Sequence, residues 1–199
     1  MTRVVHRPDA RAGERGQAII EFGVIVPVFT LLLLGLLEFG MLFTHHITLE
    51  YATREGARTA ASLGNGDGDA ATCATIDPQI VAAVQRVLES HGSPVALSAI
   101  SQISIFRADP DGAPMTGTLN TWTYTGAQTG PTVDGQKLAF TQQTQAWAPC
   151  TRITSPNAQS IGVSLEYRYR LMTPLSALGA ATGTNGLPMS DATIMALNP

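Results

Sequence analysis

Residues 15–43 read RGQAIIEFGVIVPVFTLLLLGLLEFGMLF, and the fold turns on this stretch. Phe22 to Leu37 is a run of 16 residues without a charge, bounded by Glu21 and Glu38. From Ala18 to Phe43 the segment has 26 residues, roughly 39 Å as an α-helix at about 1.5 Å per residue. A hydrocarbon core is roughly 30 Å thick, so one tilted span through the lipid bilayer fits. A surface helix of a globular domain carries a polar face, and this run has none. Upstream, residues 1–16 (MTRVVHRPDARAGERG) set Arg3, Arg7, Arg11 and Arg15 against Asp9 and Glu14, a net +2 without hydrophobic periodicity. The positive-inside bias then puts the N-terminus in the cytoplasm and residues 44–199 outside. A cleaved signal peptide has a shorter apolar region and ends in a small-x-small site, which does not follow Phe43 here. The expectation is a single-pass protein of the cytoplasmic (inner) membrane.

The composition agrees with a membrane segment joined to one domain. The chain has 199 residues, 44% hydrophobic and 14% charged, against a usual charged share of about 25%. The net charge is −3, with no basic face for wrapping nucleic acid, so no nucleic-acid partner is expected. Cys73 and Cys150 are too few for a disulfide scaffold and too far apart for a zinc knuckle. No GxSxG, HExxH, P-loop or CxxC motif is present, so no catalytic residues, metal or cofactor are expected.

Glu21 lies just inside the apolar run. A carboxylate in lipid costs a few kcal/mol near the bilayer centre and less at its edge, which makes it a functional candidate; snorkelling to the headgroups is the plainer reading. The pattern Gly16-Gln17-Ala18-Ile19-Ile20-Glu21-Phe22 resembles a class III prepilin processing site, where a membrane aspartyl peptidase cuts after the glycine. The likeness extends through Pro27, the leucine-rich run, Leu37-Glu38-Phe39-Gly40 and Ala52-Thr53-Arg54-Glu55-Gly56-Ala57-Arg58. Over residues 15–61 the chain is similar to TadE-like proteins, minor pseudopilins of the Tad (Flp pilus) secretion system. This resemblance implies processing after Gly16, with Gly16, Gln17, Glu21 and Phe22 forming the processing site. Its implied partners are the prepilin peptidase, other pilins or pseudopilins and the pilus assembly platform. TadE or TadF type is preferred, because a TadG-like chain would need a large extra adhesion domain beyond Ala61. The implied function is a structural initiator or regulator of pilus assembly, not an enzyme. The alternative is a permanently anchored extracytoplasmic binding module.

Cleavage after Gly16 would place the new amine of Gln17 on an apolar helix. If subunits stack with an axial offset, Glu21 of one pairs with that amine on its neighbour, and two charges costly alone in lipid become less so together. Glu21 would then set the register between subunits. Glu38, about 30 Å along the helix from Ala18, is placed near the outer interface as a partly solvated structural acid. Pro27 removes one helical hydrogen bond and should kink or loosen the span.

Beyond the membrane the helix should continue over residues 44–63. Ala52, Gly56 and Ala60 form a four-residue stripe of small side chains that permits close helix packing, either on this chain's own domain or on a neighbouring pseudopilin. His45-His46 reads as a wet interfacial pair. Gly64-Asn65-Gly66-Asp67-Gly68-Asp69 ends the helix, and its spacing does not fit a calcium loop. Asp77-Pro78 marks the start of a second helix and Gly92 its stop. Strands are predicted at 101–107, 118–125, 137–147, 161–171 and 192–197. The third of these starts at Lys137 and ends at Trp147. In the fourth, Ile161, Val163, Leu165, Tyr167, Tyr169 and Leu171 alternate with polar residues, as in an antiparallel sheet with one wet face. Cys73 and Cys150 fall on the same extracytoplasmic side, where disulfides persist, and are expected to be bridged.

The predicted architecture is α+β. A leader (residues 1–16) precedes a transmembrane helix (17–43), its extracytoplasmic continuation (44–63), and a pilin-like domain (64–199) with a second helix and a four- to five-stranded antiparallel sheet.

Overall fold

The computed structural model describes residues 11–126, 128–174, 176–177 and 186–198. Most of the leader, residues 1–10, lies outside the described residues. The fold is α+β. Helix α1 (Arg11–Leu63) runs unbroken through Pro27 for 53 residues. Helix α2 (Ala70–Leu88) and five strands of one antiparallel sheet follow. The sheet order is β5 (Phe140–Gln145), β2 (Pro114–Tyr124), β1 (Ile100–Ala108), β6 (Ser160–Tyr169), β7 (Leu187–Ala196). A two-stranded hairpin of β3 (Thr132–Val133) and β4 (Gln136–Lys137) stands apart.

Several expected boundaries move: β2 starts at Pro114 and not at 118, β7 at Leu187 and not at 192, and α2 ends at Leu88 before Gly92. Two further shifts have a local reason. Helix α2 begins at Asp69 and not at Asp77-Pro78. The Asp69 carboxylate accepts from Ala71 N at 3.1 Å and Thr72 N at 3.0 Å, satisfying two of the donors that a helix start leaves unpaired. These bonds hold the Asp69 carboxyl below the usual carboxylate range, the Thr72 amide contributing most. Pro78 therefore sits inside the helix and forfeits one bond to the preceding turn, while Ile76, Ile80 and Val81 beside it are fully buried. The expected strand from Lys137 to Trp147 divides. The expected turn at Val133-Asp134-Gly135, with positive φ at Asp134 and Gly135, suits a two-residue hairpin, and that hairpin takes Lys137 to pair with Thr132. The main sheet then gains only β5, and Trp147 leaves it to become buried.

The core lies between the sheet and the distal half of α1 together with α2. Every residue from 16 to 33 is exposed, and among the described residues the first buried side chain on α1 is Glu38. From there the buried positions His45, Leu49, Ala52, Gly56 and Ala60 follow one helix face, at the three- and four-residue steps of an α-helix. The inward side chains Ile161, Val163, Leu165, Tyr167 and Tyr169 of β6 are all buried. Leu171 lies past the end of the strand and is only half-buried.

The small-residue stripe is thus consumed by this chain's own packing. A Cβ built on Gly56 would come within 2.6 Å of Val84 Cγ2 and 3.1 Å of Val163 Cγ1, so α1 meets both α2 and β6 at that point. Alanine in place of glycine favours a helix by about 1 kcal/mol, but overpacking a filled core costs about 1–3 kcal/mol. Gly56→Leu is expected to lower stability within that overpacking range, read as a lower midpoint in urea with an unchanged slope. A midpoint at or above the parent's would show that this seam is loose.

Candidate functional site: the N-terminal helix and its domain seam

Among the described residues the proximal half of α1 has no packing partner. Its most apolar 18-residue window has a mean hydropathy of 2.5 and none of it is buried. At the N-terminal end, Gln17 Nε2 donates to Glu21 Oε1 at 2.9 Å, one turn away and exposed. Phe22 is 68% exposed, and a side chain at Gly16 would meet nothing within 4 Å. Gly16, Gln17, Glu21 and Phe22 therefore lie together on free helix surface, open to another protein. Apart from Gln17, no described residue satisfies the Glu21 carboxylate.

Glu38 behaves differently. The sequence suggested a partly solvated acid, but the side chain is buried against the domain. Its carboxylate accepts from the Tyr169 hydroxyl and from the backbone N–H groups of Met172 and Thr173, both at 3.0 Å. Three donors offset the loss of water, as a buried carboxylate requires. Burial, and donation to Glu38, push the Tyr169 phenol up from its ordinary value. His45, read as wet from the sequence, is also buried. Its Nδ1–H donates to the Met41 carbonyl at 2.8 Å, and its ring lies 5.0 Å edge-on from Tyr169 and 5.7 Å from Tyr167. Only His46 of the pair is exposed. Glu38 and His45 sit on one helix face, and both meet the β6 terminus.

At the far end of the domain, a disulfide joins Cys73 in α2 to Cys150, with a Cα–Cα distance of 5.3 Å. Two residues on, Arg152 is buried and reaches Asp77 Oδ1 at 2.5 Å. Asn120 Nδ2 donates to the other Asp77 oxygen at 2.7 Å, and Arg152 stacks over the Trp147 ring at 4.7 Å. Sequence reasoning missed this cluster because Asp77 had been assigned to a helix cap. Asp77 in the midst of Ile76, Ile80 and Val81 was the available signal. Among the described residues no three His, Cys, Asp or Glu side chains converge as a metal site.

This layout, one free apolar helix with an α+β domain seated on its distal half, is compatible with a single-pass membrane protein. Residues 16–58 match the family model described as TadE-like protein, so over that stretch the chain is similar to this family. The match ends within α1, so the sheet and α2 lie outside it. No curated protein and no solved structure matches the chain.

Proposed function

We propose that this protein is a minor pseudopilin of a Tad/Flp-type system. In this reading it is processed after Gly16 by a prepilin peptidase and then initiates or regulates pilus assembly without catalysing a reaction. Residues 18–37 cross the cytoplasmic membrane, with the N-terminus in the cytoplasm and the domain outside. Twenty residues of helix span about 30 Å, the thickness of the hydrocarbon core. The span thus fits once Glu38 is assigned to the domain seam, and no tilt is needed.

The observation carrying this reading is the state of Glu21. It is an acid at the entry to the span, held among the described residues only by the neutral amide of Gln17. Cleavage after Gly16 converts Gln17 into an N-terminal residue with a charged amine. An ammonium adds the attraction of opposite charges to the hydrogen bond, which a neutral amide cannot supply, so the amine of an axially offset neighbour displaces the local amide. Glu21 then fixes the register of one subunit on the next.

N-terminal sequencing of protein taken from its native membrane is expected to begin at Gln17. An intact Met1 would instead make the chain a permanently anchored binding module. Glu21→Ala is expected to insert in the membrane as the parent does but to lose co-purification with pilin subunits. Full co-assembly of that variant would remove Glu21 from the mechanism.

A further inference from the structure

We propose that the membrane-facing end of the domain binds anionic phospholipid headgroups through Arg168 and Arg170. The inference rests on the reading of residues 18–37 as the span. That reading places Glu38 at the hydrocarbon boundary, together with the groups that bond it, Tyr169, Met172 and Thr173. The headgroup layer of one leaflet is about 5–7 Å deep. Arg170 falls between Tyr169 and Met172 and so lies within it. Arg168 stands two residues up β6, about 7 Å higher at the rise of a strand, within reach for an arginine side chain.

Both arginines are exposed, and among the described residues neither makes a salt bridge or a hydrogen bond. Arg54, Arg58, Arg86 and Arg152 each have a carboxylate partner. The pair also runs against the domain's overall charge, since residues 45–199 hold 8 basic and 11 acidic side chains. A cavity of about 500 Å³ opens beside them, lined by Ser98, Ser101, Tyr167 and Met172 among others. Its size suits a headgroup, and guanidinium groups bind phosphate oxygens in bidentate fashion. Two apolar side chains flank the site on the membrane side. Met172 is 63% exposed, and Leu187, paired with Tyr169 across the β6–β7 ladder, is 45% exposed. Arginines over an apolar rim, continuous with a membrane span, suit an interface of phosphates above acyl chains. Because the domain is packed along α1, docking tilts the whole molecule towards this face.

The test uses the full chain carrying Met172→Trp, in vesicles of phosphatidylcholine alone or mixed with phosphatidylglycerol. Both contain a lipid with a nitroxide on its headgroup, which quenches the new tryptophan on contact. The native Trp122 and Trp147 are buried. A basic residue near an anionic surface shifts binding by about fivefold, so two arginines shift the docked-to-undocked ratio by roughly thirtyfold. Quenching is expected to rise on adding phosphatidylglycerol, and to weaken in high salt. The rise should vanish in Arg168→Gln/Arg170→Gln and survive in Arg168→Lys/Arg170→Lys. Equal quenching in the two vesicle types, or an undiminished rise in the double glutamine variant, would overturn the proposal while leaving the span intact. A chain that fails to float with either vesicle would overturn the span reading and this inference together.

Discussion

Asp77→Ala is expected to lower the stability of the domain by about 3–5 kcal/mol, the usual cost of leaving one partner of a buried ion pair alone. Asp77 and Arg152 have side chains 2% and 0% exposed, so water does not replace the lost carboxylate. Its removal also frees one donor of Asn120, which is itself fully buried. Asn120 further ties the segment by donating to the Trp147 carbonyl at 2.7 Å and accepting from the Trp147 amide at 2.8 Å. One substitution therefore strands a guanidinium and loosens the loop that carries it. Restoring balance is the control: Asp77→Ala with Arg152→Met removes both charges and is expected to recover most of the loss. Urea unfolding of the oxidised full chain, followed by tryptophan emission, measures both variants, since Trp147 packs against the arginine. A loss below about 1 kcal/mol in the single variant would mean that the pair is hydrated and not part of the core.

The second large effect is loss of the disulfide. Cys73→Ser with Cys150→Ser opens a loop of 77 residues, worth about 4 kcal/mol in the chain-entropy account. Its consequence is local as well. Cys150 lies in the short turn Pro149–Thr151, immediately before Arg152, so the bridge holds that turn against α2 while Arg152 reaches Asp77 in the same helix. The two fastenings share one segment, and their losses are not expected to add. A double-mutant cycle combining the serine pair with Asp77→Ala is expected to give a coupling of about 0.5–3 kcal/mol. Strict additivity would show that turn and ion pair are independent. Reduction of the parent chain should reproduce the serine pair's shift, which separates loss of the bond from any effect of the serines.

Loop glycines at close approaches also tie distant segments: a Cβ on Gly130 would clash with the Phe140 carbonyl oxygen, and one on Gly186 would meet the Tyr169 carbonyl oxygen at 2.5 Å. Most of the secondary structure, by contrast, was legible from local pattern. Period-two alternation in β6 placed its strand and its buried face, since successive side chains on a strand point to opposite sides. The uncharged run after Glu21 announced the free half of α1. Where the reading slipped, two plausible local signals competed. Asp77-Pro78 looks like a helix start, but Asp69, eight residues earlier, caps the helix through its own hydrogen bonds. At 137–147 the turn before Lys137 was legible in Val133-Asp134-Gly135, but not that Lys137 pairs with Thr132 in a separate hairpin and leaves the sheet strand to begin at Phe140.

The sequence by itself determined the long apolar helix, its leading Gly16–Phe22 element and the antiparallel character of the sheet, because each depends on neighbours within one or two turns. Tertiary structure alone decided which face of α1 is available. It spent Ala52, Gly56 and Ala60 on the chain's own core, took Glu38 and His45 out of water, and brought the end of β6 at Tyr169 onto Glu38. Those outcomes depend on groups more than a hundred residues apart in the chain, as with Glu38 and Tyr169. Burial and charge pairing at that separation are set by how the sheet docks on the helix, and no local window of sequence contains that information.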